Sequence, residues 1–237
     1  MILLKKPTII ACIPAFNEER TLPLLIPTCK KYTDKIFVCD DGSTDLTYDI
    51  AKRLGAEVVK HERNLGKGVA LQTLFKLALN NGADVVVTLD ADGAHNPEDI
   101  PLLLEPILKQ NPNVDVVIGS RFMKSGFGPV SRLNFVGNKL INALIFMCTG
   151  RLLSDSQSGF RAFRRWVLES MDLIADGYEV ESELTIKCVK MHRCKIVEVP
   201  IKCKRIFKVS KLNALRDGLK ILQTILKTVC LGVEDRD

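Results

Sequence analysis

The first half of the chain alternates short apolar runs with helical stretches. Residues 8–14 (TIIACIP), 35–40 (KIFVCD), 57–61 (EVVKH), 84–90 (DVVVTLD) and 115–121 (DVVIGSR) have strand length and no hydrophilic face to speak of. Between them, residues 18–31, 46–55, 66–82 and 97–110 read as helices, with glycines closing the second and third and a proline opening the fourth. Strands that are apolar throughout, separated by helices, predict an α/β protein with a mostly parallel sheet covered on both faces. In such sheets ligands bind beyond the carboxyl ends of the strands. The residues predicted there are PAFNEE, DDGSTD, DADGAH and SRF, so polar and acidic side chains converge on one rim.

The second half is less regular. A helix is expected over 132–147 and another over 177–192, with a strand at 195–201. Residues 124–131 form a glycine-rich loop, and DSQSGFRAFRR (155–165) carries no clear period. The 237 residues show no repeat or linker, which favours one domain with a C-terminal extension. A net charge of +6 does not by itself imply nucleic acid. No apolar run reaches the ~20 residues of a membrane span, and the first ten residues do not form a secretory signal, so a cytosolic protein or one attached peripherally to a membrane is expected. Eight cysteines without a C-x-x-C pair, and three scattered histidines, make a zinc site improbable on spacing. Cys12 and Cys39 read as small buried hydrophobes.

Asp90 and Asp92 stand in D-x-D spacing on the loop leaving a strand, where both reach one hard divalent cation such as Mg²⁺ or Mn²⁺, shared with substrate phosphates. The competing reading is a pair of turn and helix-cap aspartates before NPEDI. Asp40, Asp41, Asp45, Glu18 and Glu19 on the same rim favour the metal. NLGKGVA (64–70) opens a helix with glycines but is neither a Walker loop nor a dinucleotide fingerprint. It reads equally as a phosphate-binding helix N-terminus or as a tight helix start.

In order along the chain, IPAFNEE, DDGSTDLT, NLGKGVA, LDADGAHNPEDI, GSRF, SGFRAFRR, GYEVESEL, VPI and the R and SK of RIFKVSK resemble the nucleotide-sugar glycosyltransferases of the GT-A fold. Within them they are similar to the dolichyl-phosphate mannose and glucose synthase group of glycosyltransferase family 2. The resemblance spans residues 9–213. It implies a glycosyltransferase domain over 1–211, and residues 212–237 read as an amphipathic helical extension. It also implies a nucleotide-diphospho-sugar donor and a polyprenyl or dolichyl phosphate acceptor. Pro14, Phe16, Glu18, Asp41 and Ala91 are then substrate-binding positions, with Asp41 at the base. Phe16 stands where the family has tyrosine, so a hydroxyl contact is missing. Asp90 and Asp92 hold Mg²⁺ or Mn²⁺ and the diphosphate. Ala94 replaces the glutamine often found two residues after the second aspartate, which removes a third side-chain ligand. Arg121, Lys187, Arg205 and Lys211 match basic positions that line the diphosphate and the acceptor phosphate, and Lys208 replaces a glycine of the family pattern.

A phosphate-monoester acceptor has a second pKa of roughly 6 and is an anionic nucleophile near neutrality, so no strong base is needed. That suits His61, His95 and His192, which form no constellation. His95 reads either as a partner of metal-bound water or as a loop histidine. Arg132 is the leading candidate for the acceptor phosphate, ahead of Arg161 and Arg164. Apolar residues at 212, 215, 219, 222, 226 and 229, flanked by Lys211, Arg216, Lys220 and Lys227, make a basic amphipathic helix. Such a helix lies on a membrane surface, meets a small membrane partner, or packs on the protein itself. The rival functions are transfer to a glycan hydroxyl, which calls for a base, sugar nucleotidyl transfer, and a catalytically dead binding module.

Overall fold

The computed structural model describes residues 6–109, 114–123, 132–191, 193–203 and 214–230. Seven strands form one sheet: β1 (Ile9–Ala15), β2 (Lys35–Asp40), β3 (Glu57–Lys60), β4 (Val85–Thr88), β5 (Val116–Ser120), β6 (Arg161–Arg164) and β7 (Ile196–Pro200). Their spatial order is β3-β2-β1-β4-β6-β5-β7. All neighbours are parallel except β6, which runs antiparallel to both β4 and β5. The helices are α1 (Leu22–Cys29), α2 (Thr47–Arg53), α3 (Lys67–Asn80), α4 (Ile100–Leu108), α5 (Arg132–Thr149), α6 (Arg165–Glu169), α7 (Val180–Lys190) and α8 (Ala214–Cys230). This is the expected α/β architecture, a mostly parallel sheet flanked by helices.

The period-2 geometry of a strand sends alternate side chains to opposite faces. Ile9, Ala11 and Ile13 of β1 therefore join one core with Leu22 and Ile26 of α1 and Ile100 and Leu103 of α4. Ile10 and Cys12 join the other, with Leu71 and Leu74 of α3 and Leu184 of α7. Both strand faces are dry, which is why these runs carry no polar alternation. Cys12, Cys29 and Cys39 are buried thiols, and burial pushes Cys39 up to about 12, so it is inert.

Two local expectations change. The first helix begins at Leu22 rather than at residue 18, because Asn17 takes φ +54° and the chain turns through Glu18 before the helix starts. The segment 155–165 supplies β6, whose short, arginine-flanked sequence RAFR lacks strand character. Its place between β4 and β5 imposes the ladder from both sides.

A third, smaller core joins α5, α7 and α8 through Ile145, Ile186, Ile221 and Ile225. The C-terminal helix thus packs on the protein through one seam. Of the stripe read from sequence, Leu219, Leu222 and Leu226 are exposed, whereas Val229 packs against this core. No helix among the described residues is long and apolar enough to cross a membrane.

Candidate active site at the carboxyl rim of the sheet

Parallel strands β1, β2, β4 and β5 bring their carboxyl ends to one edge, and antiparallel β6 brings its leading segment, Ser158 to Arg161, to that same edge. The Thr88 hydroxyl donates to the Gly159 carbonyl (2.8 Å), and the Gly119 N–H donates to the Phe160 carbonyl (2.8 Å). The SGF segment is therefore fixed beside the D-x-D loop.

Asp90 lies at the centre of this edge. The Lys67 ammonium is 2.5 Å from its Oδ1 and 2.9 Å from Glu181 Oε1. Glu181 is in turn paired with Arg161 at 3.2 Å. Burial pushes the pKa of Asp90 up, but the surrounding charges and hydrogen bond, Lys67 foremost among them, together hold the carboxyl down at about 2. Burial likewise opposes the Lys67 charge, yet Asp90 and Glu181 together push its pKa up. A β-carbon at Gly159 would stand 2.8 Å from each Asp90 oxygen and 2.9 Å from Lys67 Nζ, so a side chain there would displace the ends of Asp90 and Lys67.

Asp92 keeps one oxygen in a turn, where Oδ1 accepts the Ala94 N–H at 2.9 Å. Among the described residues no group of three or more His, Cys, Asp or Glu side chains is placed to hold a metal. The two carboxylates on one loop still fit a hard divalent cation that takes its remaining oxygens from water and substrate phosphates. Ala91, between them, has its methyl in the core, so a contact with a ligand falls to its backbone.

His95 is resolved as a loop histidine. Its Nδ1 accepts the Asp90 N–H at 3.3 Å, its ring stacks on Phe160 with centroids 5.2 Å apart, and it is buried. Burial pushes its pKa down, so the ring is neutral, with the proton on Nε2 assigned by that hydrogen bond.

Arg121 leaves β5 and grips Asp155 through Nε (2.7 Å) and Nη2 (2.8 Å), while its backbone N–H donates to the same carboxylate. Asn138 of α5 also donates to Asp155, and Glu198 accepts the Asp155 N–H. Burial opposes ionisation of Asp155, but Arg121 keeps its pKa below the usual carboxylate range. The guanidinium is thereby locked at the rim, and Nη1 takes no part in the pair.

Asp41 is saturated. Its carboxylate accepts the N–H groups of Leu65 (3.0 Å) and Gly66 (2.8 Å) and meets His61 Nδ1 at 2.7 Å. It thus ties the NLGKG loop to the end of β2. That loop is a tight helix start rather than an open anion site: the Asp176 carbonyl accepts the N–H of Gly68 (2.7 Å) and of Val69 (3.3 Å). A β-carbon at Gly68 would meet the Ala175 carbonyl oxygen at 2.0 Å. Glu18 is buried, accepting the Thr21 hydroxyl at 3.0 Å, and Pro14, near the end of β1, and Phe16, just after it, are half-buried.

Three basic expectations change. Arg161 is fully buried and donates to the carbonyls of Ser156, Ser158 and Glu181, so it is a structural cation. Arg164 pairs across from Val85 at the start of β4, the edge opposite the site, and donates to the carbonyls of Ile107 and Val114. Lys187 is paired with Glu183 at 2.7 Å and donates to the Asp172 carbonyl. Arg132 opens α5, but its side chain lies outside the described residues, as do Arg205, Lys208, Lys211 and His192. Lys67 and Glu181 are central here and were not singled out in the sequence. Their only local signal was their presence in the NLGKGVA and GYEVESEL blocks.

Residues 10–171 match the family described as Glycosyl transferase family 2. The UDP-N-acetylglucosamine–dolichyl-phosphate N-acetylglucosaminyltransferase of Methanococcus voltae is 37% identical over 211 residues, spanning 80% of this chain and 83% of its own. Polyprenol monophosphomannose synthase of Mycolicibacterium smegmatis is 33% identical over 239 residues, spanning 94% and 86%. The crystal structure of glucosyl-3-phosphoglycerate synthase from Mycobacterium tuberculosis, with Mn²⁺, UDP and phosphoglyceric acid, matches with a TM-score of 0.75 at 28% identity, covering 97% of this chain and 80% of that one.

Proposed function

The chain belongs to glycosyltransferase family 2, and from that premise we propose that it moves a hexose, with inversion, from a nucleotide-diphospho-sugar to a polyprenyl or dolichyl phosphate. The observation that carries this reading is the rim itself. Carboxylates Asp90 and Asp92 leave β4, the fixed cation Arg121 leaves β5, and both described histidines nearby, His61 and His95, are held in hydrogen bonds. The relatives whose names include polyprenyl or dolichyl phosphate acceptors support the same acceptor class.

An oxygen of the acceptor phosphate forms the new bond to the anomeric carbon as the bond from that carbon to the nucleoside diphosphate breaks. Charge builds on the departing diphosphate, and preorganised cations there lower the barrier. A divalent cation held by Asp90 and Asp92, Mg²⁺ or Mn²⁺, supplies part of that neutralisation when bound. Arg121, already oriented by Asp155, supplies a fixed charge beside it. Pro14 at the end of β1, with Phe16 and Glu18 of the loop after it, borders the nucleotide, and Asp41 shapes that side by holding the 61–66 loop. Arg132, Arg205 and Lys211 are assigned to the acceptor phosphate, and Arg132 is the first to test.

The exposed apolar residues Leu219, Leu222 and Leu226 of α8, with Lys220 and Lys227, and the exposed stripe Val136, Leu140 and Met147 of α5 support peripheral contact with a lipid surface. Peripheral association with the cytoplasmic face of a membrane, where a polyprenyl phosphate acceptor would be anchored, is part of this proposal.

The test is incubation with GDP- and UDP-linked mannose, glucose and N-acetylglucosamine, Mg²⁺ or Mn²⁺, and either a polyprenyl phosphate or phosphoglyceric acid. A glycosylated polyprenyl phosphate is the expected product. Glycosylation of a hydroxyl acceptor alone overturns the acceptor class. Arg132→Ala is expected to raise the KM for polyprenyl phosphate and leave the donor Kd unchanged. A fall in donor affinity with unchanged acceptor kinetics removes Arg132 from the acceptor site.

A further inference from the structure

Lys67 sits between two carboxylates of different standing. Asp90, 2.5 Å away, is 28% exposed and belongs to the D-x-D loop, whereas Glu181, 2.9 Å away, is buried and anchored by Arg161. Lys67, Arg161, Asp90 and Glu181 carry two positive and two negative charges, so the quartet is neutral without any added ion. A cation arriving at Asp90 meets a carboxylate already engaged by an ammonium. The Lys67 side chain is 13% exposed, so its ammonium is largely sheltered from water while it holds Asp90.

We propose that Lys67 is an internal competitor for the divalent cation: in the ligand-free protein its ammonium occupies Asp90, and cation binding there requires it to release Asp90 and remain on Glu181. This rests on the reading of Asp90 and Asp92 as metal ligands. Two consequences follow from the charges. The free protein binds divalent cations weakly, because each must displace an ion-paired ammonium. A nucleoside diphosphate strengthens cation binding, because its own oxygens ligate the ion and offset the charge crowding. By linkage, the cation strengthens diphosphate binding by the same factor.

The experiment measures Mn²⁺ affinity from the electron paramagnetic resonance signal of free Mn²⁺, first alone and then with UDP or GDP. Lys67→Met/Glu181→Gln removes one positive and one negative charge, so the cluster keeps its wild-type net charge while Asp90 is released. Its Kd for Mn²⁺ alone is expected to fall roughly tenfold, since relieving a close charge pair of this kind is a large effect at a half-buried site. The gain in Mn²⁺ affinity on adding UDP or GDP is expected to shrink correspondingly. A double variant that is folded by circular dichroism yet binds Mn²⁺ no better than wild type overturns the proposal. If wild type loaded with UDP or GDP binds no Mn²⁺ at all, the metal reading of the D-x-D loop fails, and the proposal with it. A second measurement needs no variant of Glu181. In ¹⁵N spectra of the wild-type protein the Lys67 ammonium resonance, identified by its loss in Lys67→Arg, is expected to move on titration with Mg²⁺. A resonance unmoved at saturating Mg²⁺ also overturns it.

Discussion

Gly159 and Asp90 are in a relationship that only a missing side chain permits: a β-carbon on the glycine would lie 2.8 Å from both oxygens of the carboxylate. The atoms it would meet are the ends of the Asp90 and Lys67 side chains, which can swing away. Gly159→Ala is therefore expected to fold with nearly the wild-type melting temperature and to lose activity roughly 10- to 100-fold, the loss typical of a displaced reacting group. Parallel thermal melts and initial rates check it. An active Gly159→Ala protein removes Asp90 from the chemistry.

Arg121 and Asp155 form a two-bond pair in which the acid is wholly buried. A lysine cannot reproduce that fork. Arg121→Lys is expected to cost about 1–3 kcal/mol of stability by leaving a buried acceptor short of a donor, and to lower kcat as well. Urea unfolding and steady-state kinetics test both. Loss of activity with unchanged stability would mean that Asp155 finds another donor.

The carboxyl of Asp90 is held at about 2, below its unfolded value, so its ion pair stabilises the fold above the unfolded pKa and is lost as pH falls through the folded one. The pair contributes about 2 kcal/mol by that linkage. Stability is expected to drop between about pH 4 and pH 2 in wild type and to drop less in Asp90→Asn. Equal acid sensitivity in the two proteins would rule the linkage out. The neutral, hydrogen-bonded His95 predicts no separate step near pH 6 to 7.

The two seams of α8 separate packing from surface contact. Leu222→Ser/Leu226→Ser, on exposed residues, is expected to weaken binding to anionic liposomes with the melting temperature unchanged. Ile225→Ala, on the seam buried against α5 and α7, is expected to destabilise by about 2–5 kcal/mol. Co-sedimentation with vesicles and thermal melts distinguish them. Undiminished liposome binding in the leucine variant would leave the exposed seam without a membrane role.

By itself the sequence determined what local patterning can encode. The runs IIACIPA, KIFVCD, VVVT and VVIGS are apolar on both faces because each lies between two helical layers, and that condition is visible within a few residues. The placement of Asp90, Asp92 and Arg121 on one rim follows from parallel strands ending together, and the apolar stripe of α8 follows from helical spacing. The tertiary structure decided everything that depends on which distant segments meet. RAFR is a strand only because β4 and β5 flank it, and its antiparallel direction puts Arg161 beside the site and Arg164 at the far edge. Lys67, Asp90, Gly159 and Glu181 come from four separate segments, and no spacing rule links them. Asp41 accepts backbone N–H groups of Leu65 and Gly66, from a loop that the fold brings alongside, whereas the partner of His95 is the Asp90 N–H of its own loop. A buried polar group must find partners wherever the chain supplies them, and that supply is a property of the packed molecule rather than of the residue's neighbours in sequence.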